Sequence, residues 1–243
     1  MKTLFVLFVA LALFACSDKK TTPKKETTQP EKVKVDEPNK PAPVKNTLTI
    51  EGDLGTIDQA MVQKKFETAK STLDQCIYKG VGQDTWIGGN MNFVFRINLS
   101  GTVKRLDYSS NVGSWDVESC VVKFATALTF IKPKGGEAKV NYSYGFTESM
   151  EVKKQWGATD VSSAFRKVRR RLLKCSDGTE SAPSEYKLVF YVLPEGELGQ
   201  IGVSSGKSLP STKFYQCVRK ALKKAKFKDP MGTVAKVTMD IAP

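Results

Sequence analysis

Two stretches decide how this chain folds: VQKKFETAKSTLDQC, residues 62–76, and VSSAFRKVRRRLLKC, residues 161–175. Val, Phe, Leu and Cys match between them at a constant offset of 99, without a gap. In the first, Val62, Phe66, Ala69, Leu73 and Cys76 follow at steps of four, three, four and three. That spacing puts all five on one face of an α-helix. Val161, Phe165, Val168, Leu172 and Cys175 repeat the pattern.

The match continues outward. NFVFRINLSGTVKRLDYSS (residues 92–110) pairs with KLVFYVLPEGELGQIGVSS (187–205) at an offset of 95. Val94, Phe95, Gly101, Ser109 and Ser110 recur as Val189, Phe190, Gly196, Ser204 and Ser205. SWDVESCVVKFATALTFIKPKGGEAKV (114–140) pairs with STKFYQCVRKALKKAKFKDPMGTVAKV (211–237) at an offset of 97. Three blocks in the same order indicate a duplicated module. The period is too long, and the copies too few, for a solenoid. Two tandem domains are expected, at 47–150 and 151–243.

Each copy reads α-β-β-α-β. A strand follows the first helix at Asn92–Leu99 or Lys187–Leu193, rich in β-branched and aromatic residues. Gly101 and Gly196 occupy turns before short second strands. Ser114 and Ser211 stand where they would cap a second helix. Val117, Cys120, Val121, Phe124 and Leu128 form its expected buried face in the first copy. A last strand is expected at Ala138–Phe146 and Ala235–Ile241, and Leu48–Ile50 can add one before the first helix. The fold class is α+β: two modules, each a small antiparallel sheet packed with two helices.

Four of the five cysteines lie on these helices. Four cysteines allow three pairings. The duplication favours Cys76–Cys120 and Cys175–Cys217, in which each module closes its own loop. Each loop of about 45 residues would stabilise its module by roughly 4 kcal/mol in the chain-entropy picture. Four buried free thiols are the alternative. A metal site is disfavoured: there is no CxxC spacing and no histidine in the chain.

Each copy resembles the AgmX/PglI C-terminal domain, which is distantly similar to TonB C-terminal domains. The resemblance rests on a cysteine ending the first helix, a strand–Gly–strand unit, and a second cysteine about ten residues before an F-P-x-P-x-G-G turn. Here these are Cys76, Gly101, Cys120 and Phe130-Ile131-Lys132-Pro133-Lys134-Gly135-Gly136, with Ile131 in place of the first Pro. The second copy departs further, with Phe227-Lys228-Asp229-Pro230-Met231-Gly232. The resemblance implies a non-catalytic periplasmic interaction module, found in gliding-motility and other envelope proteins. It also implies partner binding by addition of a strand to an exposed sheet edge.

The fifth cysteine is Cys16, after an apolar run from Leu4 to Leu13 behind Lys2. The run has signal-peptide length and is too short to span a bilayer. Leu13-Phe14-Ala15-Cys16 resembles the lipobox of bacterial lipoproteins. The resemblance implies cleavage before Cys16 and lipidation of that residue. Ser17 in place of Asp then favours the outer membrane, facing the periplasm. Cleavage after Ala12, through Ala10-Leu11-Ala12, is the competing reading. Residues 17–46 are rich in Pro, Lys, Glu and Thr, a composition that cannot offset its own ordering entropy. They read as a tether between membrane and modules, or as a binding segment for an anionic envelope polymer.

Charge separates the two copies. The chain carries +13 overall. Copy one holds eleven acids and eleven bases, copy two nine acids and eighteen bases. Arg166, Lys167, Arg169, Arg170, Arg171 and Lys174 crowd the first helix of copy two. Arg219, Lys220, Lys223, Lys224, Lys226 and Lys228 crowd its second helix and the segment after it. Most lie opposite the apolar stripes, so two adjacent helices would present one positive face to an anionic partner: phospholipid, lipopolysaccharide phosphate, peptidoglycan carboxylate or an acidic protein. Nucleic acid matches the charge but not the compartment, and no base-stacking aromatic ladder accompanies it.

Enzymatic signatures are absent. No Gly-rich phosphate loop, G-x-S-x-G or H-E-x-x-H occurs, and the lack of histidine removes the commonest general base. Asp107 with Asp116, or Glu195 with Glu197, are possible carboxylate pairs, but each sits near a turn where solvation accounts for it. Trp86, Trp115 and Trp156 default to packing. No cofactor is implied. The reading is a membrane-anchored envelope adaptor. The alternative is a periplasmic enzyme with an unrecognised site.

Overall fold

The computed structural model describes residues 48–51, 55–147, 154–176 and 182–242. The readings of the leader, Cys16 and the tether fall outside them. Module 1 contains β1 (Leu48–Glu51), α1 (Gln59–Val81), β2 (Gly89–Ile97), β3 (Val103–Ser110), α2 (Trp115–Thr126) and β4 (Ala138–Phe146). Module 2 contains β5 (Lys154–Trp156), α3 (Ser162–Leu173), β6 (Tyr186–Val192), β7 (Leu198–Ser204), α4 (Thr212–Leu222) and β8 (Ala235–Ile241). The sheets run β1-β4-β2-β3 and β5-β8-β6-β7.

The α-β-β-α-β order holds in both modules, and β4 and β8 span the expected residues. One pairing departs from it. β1 lies antiparallel to β4, whereas β5, in the corresponding place, runs parallel to β8. Sheet 2 is therefore mixed, and β5 is a strand the repeat did not indicate.

Capping explains where the helices begin. Ser114 accepts the Val117 amide at 3.4 Å and Ser211 the Phe214 amide at 3.2 Å. Each hydroxyl satisfies a backbone donor that the first helical turn leaves orphaned. Asp58 does the same for α1 through the Met61 amide at 2.9 Å. α1 runs 23 residues, while its counterpart α3 runs 12 and lacks a side-chain cap.

Both apolar stripes are buried as their spacing requires: Val62, Phe66, Ala69, Leu73 and Cys76 on α1, and Val161, Val168, Leu172 and Cys175 on or beside α3. Phe165 is only half-buried. Both disulfides are present, Cys76–Cys120 with Cα atoms 5.5 Å apart and Cys175–Cys217 with 5.7 Å. Cys76 and Cys175 sit in the buried stripes, while their partners lie at the margin of α2 and α4. Cys120 is half-buried and Cys217 exposed, because α2 and α4 turn their Val117/Val121 and Phe214/Val218 sides to the cores.

The two central strands differ. β2 alternates, with Phe93, Phe95 and Ile97 inside and Asn92, Val94 and Arg96 on the open face. β6 is buried almost continuously from Leu188 to Val192. Leu188, Phe190 and Val192 belong to the core of module 2, while Tyr191 packs into that of module 1. A strand covered on both faces reads as an unbroken apolar run.

A matched pair of glycines holds the β-turns. Gly101 (φ 87°) and Gly196 (φ 78°) adopt backbone angles that L-residues avoid. A Cβ on either would strike a carbonyl oxygen, that of Phe130 or that of Phe227. Gly101→Ala is expected to destabilise module 1 by at least about 2 kcal/mol in denaturant unfolding. An unchanged midpoint would refute this account of the turn.

Candidate functional site

Two features of the surface are built from named residues: a basic helical layer on module 2, and a seam where two edge strands meet.

The basic layer follows from the helix period. Burying Ala164, Val168 and Leu172 on α3 turns Arg166, Lys167, Arg169, Arg170, Arg171 and Lys174 to solvent. Burying Phe214, Val218, Ala221 and Leu222 on α4 does the same for Arg219, Lys220, Lys223 and Lys224. Lys226 and Lys228 beyond α4 are exposed too. The structure adds Lys213, exposed in the first turn of α4. The two helices lie side by side, tied by Cys175–Cys217.

Neither helix contains an acid. Arg166/Arg170, Lys167/Arg171, Arg170/Lys174, Arg219/Lys223 and Lys220/Lys224 are like-charge neighbours at i,i+4. Each such pair costs a helix about 0.2–0.5 kcal/mol. Arg170 and Arg171 in the last turn of α3 recover part of that through the helix dipole. Among the described residues Lys228 is engaged: it pairs with Asp160 at 3.7 Å and lies 4.9 Å over the Trp156 ring. α1 of module 1, by contrast, carries Glu67 and Asp74 among its lysines, with Lys70–Asp74 paired at 2.7 Å.

The seam joins two sheet edges. β3 and β7 are edge strands in their own sheets, and the C-terminal end of β3 meets the end of β7 and the residues just after it. The Tyr108 amide donates to the Lys207 carbonyl at 3.1 Å, and the Ser110 amide to Ser204 Oγ at 3.2 Å. Tyr108 Oη donates to the Val203 carbonyl at 3.0 Å. The strands are bridged by side chains instead of being zipped into one sheet. The outer edges of β1 and β5 stay outside this seam. β5 is only three residues long.

A buried carboxylate from α2 closes the seam. Glu118 Oε1 accepts from Ser110 Oγ at 2.8 Å and the Gly113 amide at 3.2 Å, and Oε2 from the Val203 amide at 3.1 Å. Gly202 admits it, since a Cβ there would fall on Oε1. Module 2 returns the exchange. Lys236 of β8, also buried, donates to the Gly88 carbonyl at 2.6 Å, and Tyr191 Oη donates to the Val112 carbonyl at 2.8 Å. Trp115 of α2 stacks on Tyr215 of α4, ring centroids 4.4 Å apart. Burial pushes the Glu118 carboxyl up to about 7, against the pull of its three donors and the nearby Lys236 charge.

Of the carboxylates considered as pairs, Asp107 is bonded to Arg105 at 2.9 Å, Asp116 is exposed, and Glu195 and Glu197 are exposed around a short 3-10 turn. Trp115 and Trp156 are buried and Trp86 half-buried. A groove of about 350 Å³ beside the end of α1 is lined by Asp74, Ile77, Tyr78, Val81, Ile87 and Phe146. Burial would raise the Asp74 carboxyl, but hydrogen bonds from Lys70 and Tyr144 hold it below its ordinary value. Among the described residues, no three His, Cys, Asp or Glu side chains cluster to hold a metal ion, and no helix is long and apolar enough to cross a membrane.

Fold and surface together define a class: a duplicated, disulfide-bonded α+β protein with an asymmetric charge distribution. Compared with family models, with curated proteins and with solved structures, the chain gives no match.

Sequence reasoning located the basic residues and missed the seam. Glu118 aligns with Tyr215 in the repeat, so the duplication does not mark it. Two signals pointed toward it: the recurring Ser109-Ser110 and Ser204-Ser205 pairs, and the unbroken apolar run of β6.

Proposed function

We propose that this chain is a lipid-anchored adaptor of the bacterial envelope, related to the AgmX/PglI and TonB C-terminal domains, which binds through module 2. It holds the membrane through Cys16 and reaches its partner on a tether. Its role is recognition, not catalysis, in a motility or transport assembly of the kind the resemblance implies. The observation that carries this reading is the acid-free α3–α4 layer. It keeps five like-charge i,i+4 pairs, Arg170/Lys174 among them, that a merely soluble surface does not need, as module 1 illustrates. For strand addition we favour β1 and the short β5, since the ends of β3 and β7 are engaged with each other's module at Tyr108, Ser110 and Ser204.

Intact-mass analysis of the protein from its native membrane, with and without reduction, tests the anchor. The expected mass lacks residues 1–15, gains acyl chains and is short by four hydrogens for two disulfides. An unlipidated chain retaining those residues would sink the proposal.

A further inference from the structure

We propose that the α3–α4 layer docks on the anionic headgroups of a phospholipid bilayer. This rests on the reading of that layer as the binding face, and it names the partner.

The face lacks what other partners need. Among the described residues the exposed large hydrophobics are Met61, Tyr78, Leu99 and Met231, none of them on α3 or α4. A protein interface of useful affinity is organised around buried aromatic or aliphatic anchors, and this layer's half-buried Phe165 and Leu173 are both packed against the core of module 2. A single-stranded nucleic acid needs exposed rings for its bases, and Tyr215 is committed to Trp115. What remains is an array of cations on two clamped helices. Arg166, Arg170, Lys220 and Lys223 project opposite the buried stripes. Such an array suits many laterally mobile anions on a plane, where each added Lys or Arg strengthens attachment.

Chain length permits the contact. Residues 17–47 lie between Cys16 and β1. Extended at roughly 3.1 Å per residue they span on the order of 90 Å, enough for module 2 to return to the bilayer that holds Cys16. An acyl anchor and a basic face on one chain reinforce each other, as membrane attachment by two weak signals does.

The test uses the chain from residue 16 onward carrying Cys16→Ser, so that neither the apolar leader nor a lipid contributes. It is sedimented with phosphatidylcholine vesicles with or without 30 mol% phosphatidylglycerol, a composition chosen for the assay. Binding to the anionic vesicles only is expected, falling at least about tenfold between low and high salt. The fourfold variant Arg166→Glu, Arg170→Glu, Lys220→Glu, Lys223→Glu should lose about a hundredfold in partitioning. A control with the same change in net charge on module 1 (Lys64→Glu, Lys79→Glu, Lys123→Glu, Lys132→Glu) should lose far less. Equal losses in the two variants would show a net-charge effect and overturn the proposal. So would binding retained by the module 2 variant, which would assign the contact to the lysines of the tether. No vesicle binding, with retention on polyglutamate instead, would point to an acidic protein and also overturn it. If the module 2 variant does not keep its disulfides, the salt titration of the unaltered chain decides, and salt-independent binding is the refuting result. Because the assayed chain is unlipidated, its outcome is independent of whether Cys16 proves to be the anchor.

Discussion

Glu118→Ala is expected to cost about 3–5 kcal/mol in denaturant unfolding, the usual penalty for removing one partner of a buried charged network. Three donors lose their acceptor at once: Ser110 Oγ and the amides of Gly113 and Val203. An unsatisfied buried donor costs about 1–3 kcal/mol, and the nearby Lys236 loses a compensating charge. Because Glu118 bonds to both modules, they should also separate more easily. Fluorescence of Trp115, stacked on Tyr215, should report this before global unfolding. A loss under 1 kcal/mol would mean that water replaces the carboxylate and that the seam does not depend on it.

The same residue sets a pH dependence whose sign is fixed. Burial raises the Glu118 carboxyl to about 7 in the folded chain, from an ordinary value of 4.5. Between those values the folded state holds a proton that the unfolded state has released, so stability falls as pH rises. The contribution is fully present below 4.5, is lost through about 7, and is flat above. The interval corresponds to roughly 3 kcal/mol. Lys236 on β8 faces it. Tyr108 on β3 and Tyr215 on α4 face it too, and burial pushes both hydroxyls further above the ordinary tyrosine value, away from this window. Glu118→Gln should flatten the profile between pH 5 and 7.5 while costing about 1–3 kcal/mol, since its amide meets a backbone donor. A variant with the full wild-type slope would assign the titration elsewhere.

The second large effect concerns the module 2 disulfide. Cys175→Ala with Cys217→Ala removes a bridge across 42 residues, worth about 4 kcal/mol in the chain-entropy picture. The matching pair Cys76→Ala and Cys120→Ala opens 44 residues and should lose a similar amount. Salt separates the two variants. α3 and α4 carry only positive charge, so without the bridge they repel, and raising the ionic strength should restore part of the lost stability. α1 mixes signs, and its variant should respond little. Equal salt responses in the two variants would contradict the repulsion argument. A loss below 1 kcal/mol in either would contradict the entropic one.

Much of this protein is set by local pattern. The three-and-four spacing from Val62 to Cys76, and its echo from Val161 to Cys175, determined two helices and their buried faces. Ser114 and Ser211 determined where two more begin, because capping needs only a hydroxyl three residues ahead of an amide. Gly101 and Gly196 marked turns, since few other residues tolerate their backbone angles. The disulfide pairing followed from duplication. The basic faces followed from helix period combined with composition. What tertiary structure alone decided lies in long-range contacts, most of them between the modules. That β5 runs parallel to β8, that the ends of β3 and β7 meet, and that Glu118 and Lys236 are buried in exchange all depend on contacts between residues 81 or more positions apart. Periodicity reports which face of an element is apolar. It does not report which other element, or which buried charge, covers that face, because that choice is made by packing and by the need to satisfy every polar group the packing encloses.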